Sequence, residues 1–242
     1  MNKYLFENDY SADSLRWIKR VEEKNLTDSK YWNRNEGMLE ELQNEIITAN
    51  DSALAYFFTC EYDYKPYRMQ QVIINNKDPK YSYLFAQNIR NADIRALQKI
   101  VVDSNKTKYI CKFACFVRGA DLKPLEALIL KSKNVKYAHM YIKHIRSVDV
   151  NKFKDIIIAS KKPRYLFELA KHVKTQTDFE LIENLIIESG SFTYMRLLAE
   201  KIKRANVSKI EQALLELNNI EETKKFAKCV KRSKMKRFFL VL

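Results

Sequence analysis

The chain has 242 residues, 46% of them apolar and 12% aromatic, so it has ample material for a core. Three glycines and four prolines are too few for a β-rich fold built on tight turns, and helix is the natural class. The net charge is +14, no apolar run reaches the roughly 18 residues that a membrane span needs, and the start, Met1-Asn2-Lys3-Tyr4-Leu5-Phe6-Glu7, lacks a signal-peptide apolar region; a cytoplasmic protein with no membrane partner is expected.

The first 50 residues stand apart. They carry 7 basic and 10 acidic side chains, a net of −3, against 37 basic and 20 acidic in the remainder, a net of +17. With Trp17, Trp32 and a possible cap at Thr27-Asp28-Ser29, residues 1–50 read as an irregular helical N-terminal cap.

From residue 51 to 242 the chain repeats itself about every 28 residues. Tyr81, Tyr109, Tyr137 and Tyr165 stand at equal spacing, and Tyr194 follows after one inserted residue. A fixed period of this size marks stacked supersecondary units. Each unit reads as two short helices. Helix A opens near Asp78-Pro79 or Lys162-Pro163, where proline costs no hydrogen bond. Tyr81, Phe85, Ala86 and Ile89, then Tyr109, Phe113, Ala114 and Val117, gather on one stripe of a 3.6-residue helix. A small column (Ala86, Ala114, Ala170, Ala199, Ala227) lets helices approach closely.

Asp93, Asp121, Asp149, Asp178 and Asn206 then precede a second apolar period and read as N-caps. Capping accounts for this acid column without catalysis. Helix B follows, with Ile94, Leu97, Ile100 and Val101 in one copy and Val150, Phe153, Ile156 and Ile157 two copies later. Ser104, Ser132, Ser160 and Ser189 end the unit. Phe57 with Val72, Ile73 and Ile74 forms an earlier, degenerate copy; Phe226, Ala227, Val230 and Met235 continue the register at the other end. The expected fold is all-α, an α-solenoid of about seven short helical hairpins behind the N-terminal cap.

One column is basic in every clear copy: Arg90, Arg118, Arg146, Lys174, Lys203 and Lys231, read as the last turn of helix A. Lys80, Lys108, Lys136 and Arg164 form a second basic column, and Lys143, Lys171 and Lys228 a partial third. A cation near a helix C-terminus is favoured by the dipole, and a charge run is commonly a solvated face. The second column sits at the unfavourable N-terminal end of helix A, which dipole preference does not explain. Stacked helices stand roughly 10 Å apart, so six rungs would draw a positive stripe suited to a sugar-phosphate backbone met by charge and shape.

Other chemistry is sparse. Cys111 and Cys115 lie one helical turn apart, a spacing open to a metal or redox pair, but no His or further Cys completes a ligand set nearby. His144 and His172 share a column and either face each other or are a coincidental exposed pair. There is no Gly-rich phosphate loop, no H-E-x-x-H, no nucleophile elbow and no paired-carboxylate motif. No catalytic residue, metal or cofactor is assigned, and the chain is read as non-enzymatic.

The run Lys80-Tyr81-Ser82-Tyr83-Leu84-Phe85-Ala86, with Ala92-Asp93-Ile94, Leu97-Gln98-Lys99 and Asp103-Ser104, resembles tandem helical repeats of bacteriophage and bacterial proteins. The resemblance covers roughly residues 51–242, best at 79–190. More coarsely the pattern is similar to HEAT-like and TPR-like solenoids, although 28 residues is short for either. The resemblance implies a phage or mobile-element origin and carries over no catalytic residue.

The leading expectation is a module that binds RNA, DNA or a nucleoprotein along the ladder. The alternative is a protein-binding scaffold, such as a phage-encoded, anti-CRISPR-like inhibitor of a host defence complex, gripping a partner through the stack or through Phe238, Phe239, Val241 and Leu242. A HEAT-like DNA glycosylase is a third reading; it requires a catalytic acid and a base-binding cleft that the sequence does not place.

Overall fold

Residues 36–235 are described by a computed structural model of the chain. Trp17, Trp32, the Thr27-Asp28-Ser29 cap and the apolar end Phe238, Phe239, Val241 and Leu242 lie outside the described residues. The described part is all-helical: α1 (Glu36–Ala49), α2 (Ser52–Tyr62), α3 (Pro66–Asn76), α4 (Pro79–Asn88), α5 (Ile94–Asp103), α6 (Thr107–Phe116), α7 (Leu122–Ser132), α8 (Val135–His144), α9 (Asn151–Ala159), α10 (Pro163–Ala170), α11 (Gln176–Glu188), α12 (Phe192–Lys201), α13 (Val207–Glu216) and α14 (Ile220–Cys229). Helices α2 to α13 make six A–B hairpins, and α14 is the A helix of a seventh. This is the hairpin stack of an α-solenoid. None of these helices is long and apolar enough to cross a membrane.

Two compact units divide within α7, between Leu128 and Ile129. In the first, α1 packs on the α2–α3 hairpin, α2 on α4, and α4 on both α5 and α6. In the second, α8, α10, α12 and α14 pack each on the next, and each of the first three also meets its own B helix. This order, A on A and A on B, buries the two apolar stripes that the 28-residue period repeats. Phe85 and Phe113 are fully buried in the first unit; Tyr141, Leu169, Leu198 and Phe226 hold the same seat in the second. The small column is buried throughout at Ala86, Ala114, Ala170, Ala199 and Ala227. On the B helices Leu97, Leu125, Phe153, Ile182 and Ile210 fill the opposing column.

The turns obey the same period. Four of the six B helices end on a serine: the hydroxyls of Ser104, Ser132, Ser160 and Ser189 donate to the carbonyl three residues back at 2.6–2.7 Å. Each also accepts the N–H two residues on at 3.2–3.3 Å. The residue that closes the B helix is left-handed in all six hairpins: Lys77, Asn105, Lys133, Lys161, Gly190 and Asn218 have φ of 49–65°. Asparagine and glycine adopt this conformation readily, lysine less so.

Candidate nucleic-acid interface

Helix A stops earlier than its periodicity indicates. In place of a last helical turn carrying the ladder, the residue just before each rung leaves helical geometry: Ile89, Val117, Ile145, Ile202 and Val230 have φ of −85 to −111° and ψ of 106 to 126°. Each still donates its N–H to the carbonyl four residues back. These are β-branched side chains, which favour extended backbone, and they turn inward as the chain leaves the helix. Arg90, Arg118, Arg146, Lys203 and Lys231 therefore stand on the A–B turn, beyond the helix. Lys174 holds the same place after Val173.

All six rungs are exposed, and among the described residues none makes an ion pair. The other columns differ. Lys80 and Lys108 sit at the second position of their helices and lean over the neighbouring Tyr81 and Tyr109 rings, 5.1 and 5.4 Å from the centroids. Lys136 and Arg164 are exposed at the equivalent position, as is Lys143 farther along α8. Lys171 is committed internally, 2.7 Å from Glu168 and 4.5 Å over the Phe167 ring. With about ten residues of helix A between them, the first and second columns occupy opposite ends of the helix, some 15 Å apart. They do not form one edge.

The cap column holds with one correction. Asp93, Asp121 and Asp149 accept N–H groups of the following first turn at 3.0–3.1 Å, and Asn206 does the same for Lys209. Asp178 is not an N-cap. In this copy α11 starts three residues upstream of the expected place, and Thr175 caps it, accepting the Asp178 N–H at 3.2 Å. Asp178 sits inside the first turn, where its carboxylate accepts the Thr175 hydroxyl at 2.7 Å and pairs with Lys154 at 2.8 Å. Those two partners hold its carboxyl below the usual carboxylate range.

Two sets of residues that periodicity alone did not single out organise these turns. A polar column on helix B (Gln70, Gln98, Lys154, Glu183, Glu211) reaches the cap turn of the next hairpin. Gln70 accepts the Asp93 N–H at 2.8 Å, and Gln98 makes a reciprocal pair with the Asp121 backbone, both bonds 2.9 Å. Glu183 and Glu211 are buried. Glu183 accepts the Asn206 N–H at 2.8 Å; Glu211 takes the Ser233 hydroxyl at 2.6 Å and the Lys234 N–H at 2.8 Å. The second set is Arg204 and Arg232, each immediately after a rung. Arg204 donates to the carbonyls of Ala170, Val173 and Lys174 at 3.1, 2.6 and 3.5 Å, and lies 4.2 Å over the Phe179 ring. Arg232 donates to Ala199, Ile202, Lys203 and Ala205 at 2.8, 2.9, 2.6 and 3.3 Å. A helix end leaves four carbonyls without intrahelical partners, and each guanidinium fork satisfies one of them, Ala170 or Ala199, together with two or three carbonyls of the turn that follows.

The remaining candidates stay chemically quiet. Cys111 and Cys115 are free thiols with their sulfurs 4.0 Å apart, and the Cys115 contact with burial pushes the Cys111 thiol well up. Among the described residues no three His, Cys, Asp or Glu side chains gather as a metal site. His144 and His172 are exposed, and the Nδ1 of His144 is 2.8 Å from the Met140 carbonyl.

Compared with protein-family models, curated proteins and solved structures, the chain matches none. The case for its function therefore rests on its own surface.

Proposed function

We propose that the chain is a non-enzymatic binding module that takes the phosphate backbone of a nucleic acid, free or within a nucleoprotein, on the A–B turns of its hairpins. One observation carries this reading. Lys65, Arg68, Lys99, Lys154, Lys171, Arg196, Lys201 and Lys225 are ion-paired, while the six rungs face solvent and none of them makes an ion pair. Dipole compensation explains one cation near a helix end, but not a cation left exposed at the same turn in every copy.

The test is salt dependence. Each rung that meets a phosphate contributes about −0.7 to the log–log slope on a single strand and about −0.9 on a duplex. The triple variant K174E/K203E/K231E should abolish binding with helix content unchanged by circular dichroism. A slope near zero overturns the reading.

A second reading, a protein-binding scaffold, has its own support. Leu215, Leu217 and Ile220 are 61, 44 and 64% exposed on the turn between α13 and α14. If that turn is the working surface, L215S/I220S removes partner binding and leaves nucleic-acid affinity intact.

A further inference from the structure

We infer, resting on the reading above, that anion binding concentrates on three turns of the second unit, those of Lys174, Lys203 and Lys231, and that its ligand is double-stranded nucleic acid gripped by one backbone.

The localisation comes from how the turns are joined and from where the acids go. Arg204 ties its own turn to the one ending at Lys174, and Arg232 ties its own to residues 199–205. Three rungs thus stand on consecutive turns clamped side by side, about one helix-packing distance (roughly 10 Å) apart. Every acid around them is occupied. Asp178 is held by Lys154 and Thr175, Glu200 by Lys201 and Arg196, and the buried Glu183 and Glu211 by backbone N–H groups. Asn206 and Lys234 stand where earlier copies place an acid. By contrast Arg90, Arg118 and Arg146 each share a turn with an exposed carboxylate three residues on, Asp93, Asp121 and Asp149. An approaching phosphate meets a net cation at the first set and a near-neutral pair at the second.

The ligand class comes from what the turns lack. Proteins that hold single strands without sequence preference stack bases on aromatic side chains. Residues 170–175, 201–206 and 230–235 contain no Tyr, Phe or Trp, and the one ring there is His172. Their apolar members Val173, Ile202, Ala205, Val230 and Met235 are buried. What faces out is mostly lysine, with His172, Thr175, Asn206 and Arg232. Rungs roughly 10 Å apart meet every third phosphate of a strand that rises 3.4 Å per residue. Such a surface reads charge and spacing, which a duplex presents in fixed form.

The experiment is fluorescence anisotropy with a 24-base-pair duplex, as DNA and as RNA, and the 24-nucleotide single strand, across a salt series. K174Q/K203Q/K231Q is compared with R90Q/R118Q/R146Q. The expected result is duplex binding at least tenfold tighter than single strand for one or both duplexes. The first triple should weaken it tenfold or more, with the slope reduced by about 2.7, at about 0.9 per phosphate; the second should weaken it threefold or less. Equal or tighter single-strand binding overturns the duplex assignment, and equal losses in the two triples overturn the localisation. Absence of any salt-dependent binding in the unmodified protein overturns the proposed function itself.

Discussion

The A–B turns of the first unit and the last turns of the second share backbone geometry but are held by different chemistry. Around Arg90 and Arg118 the clasp is neutral: Gln70 and Gln98 bond the backbone of the next turn, and an exposed aspartate caps helix B. Around Lys203 and Lys231 the clasp is charged. Buried Glu183 and Glu211 bind from within, while Arg204 and Arg232 each fill one open carbonyl of the preceding helix end and others of the turn that follows. The difference shows how one repeat geometry can be kept while its surface charge is changed. Moving the carboxylates inward leaves lysine alone outside.

The strongest way to break this contrast is to remove the forks. Hydrogen bonds from charged donors contribute about 1.5–3 kcal/mol each when buried, less where water replaces them. The double variant R204A/R232A should therefore lose about 2–4 kcal/mol, read as a lower urea midpoint. Lysine at both positions keeps the charge but cannot span three or four carbonyls, and should recover less than half of the loss. Full recovery by lysine would mean that charge alone holds these turns.

Those arginines also mark where sequence reading stopped. The fold was legible because its core columns repeat in kind: Phe85, Phe113, Tyr141, Leu169, Leu198 and Phe226 are all large and apolar. The clasp column was not, since Gln70, Gln98, Lys154, Glu183 and Glu211 share a place but not a chemistry. Gln70, Gln98 and Glu183 meet backbone groups, Lys154 meets the Asp178 carboxylate and Glu211 meets both backbone and the Ser233 hydroxyl, and a main-chain partner leaves no complementary residue to find. Asp178 was misplaced because the helix starts three residues upstream of the expected place, where a threonine offered a competing cap. The rungs were placed one turn too deep because periodicity marks which face is apolar and says nothing of where Ile89 or Val117 turns extended.

A smaller effect sharpens the comparison from the other side. Asp93 and Asp121 are caps, and asparagine caps a helix as well as aspartate does. D93N/D121N should leave stability within about 0.5 kcal/mol. It removes the carboxylates beside Arg90 and Arg118, so the turns come to resemble those of Lys203 and Lys231. Duplex affinity should rise two- to fivefold at low salt, with a steeper salt slope. An unchanged affinity would show that these turns do not meet the ligand in either charge state.

The smallest expected effect lies behind the turns, in a core seat that the two units fill differently. Cys111 occupies it in α6 and His139, 28 residues on, in α8. The thiol stays neutral across ordinary pH, because its own raised titration lies far above it. The imidazole packs 5.1 Å from the Tyr165 ring, and its Nε2 is buried without a hydrogen-bond partner. Burial lowers its pKa first, with Arg164, Lys143 and His144 adding to that and Glu168 opposing it. A histidine that protonates less readily folded than unfolded contributes its full stability above the unfolded value near 6.5. It loses that contribution as pH falls from there toward the folded value, where the unfolded chain binds more protons. The urea midpoint should therefore drop between pH 7.5 and 5.5, and H139Q should reduce the drop. Identical pH dependence in H139Q and the parent would mean that this seat opens to water before it charges.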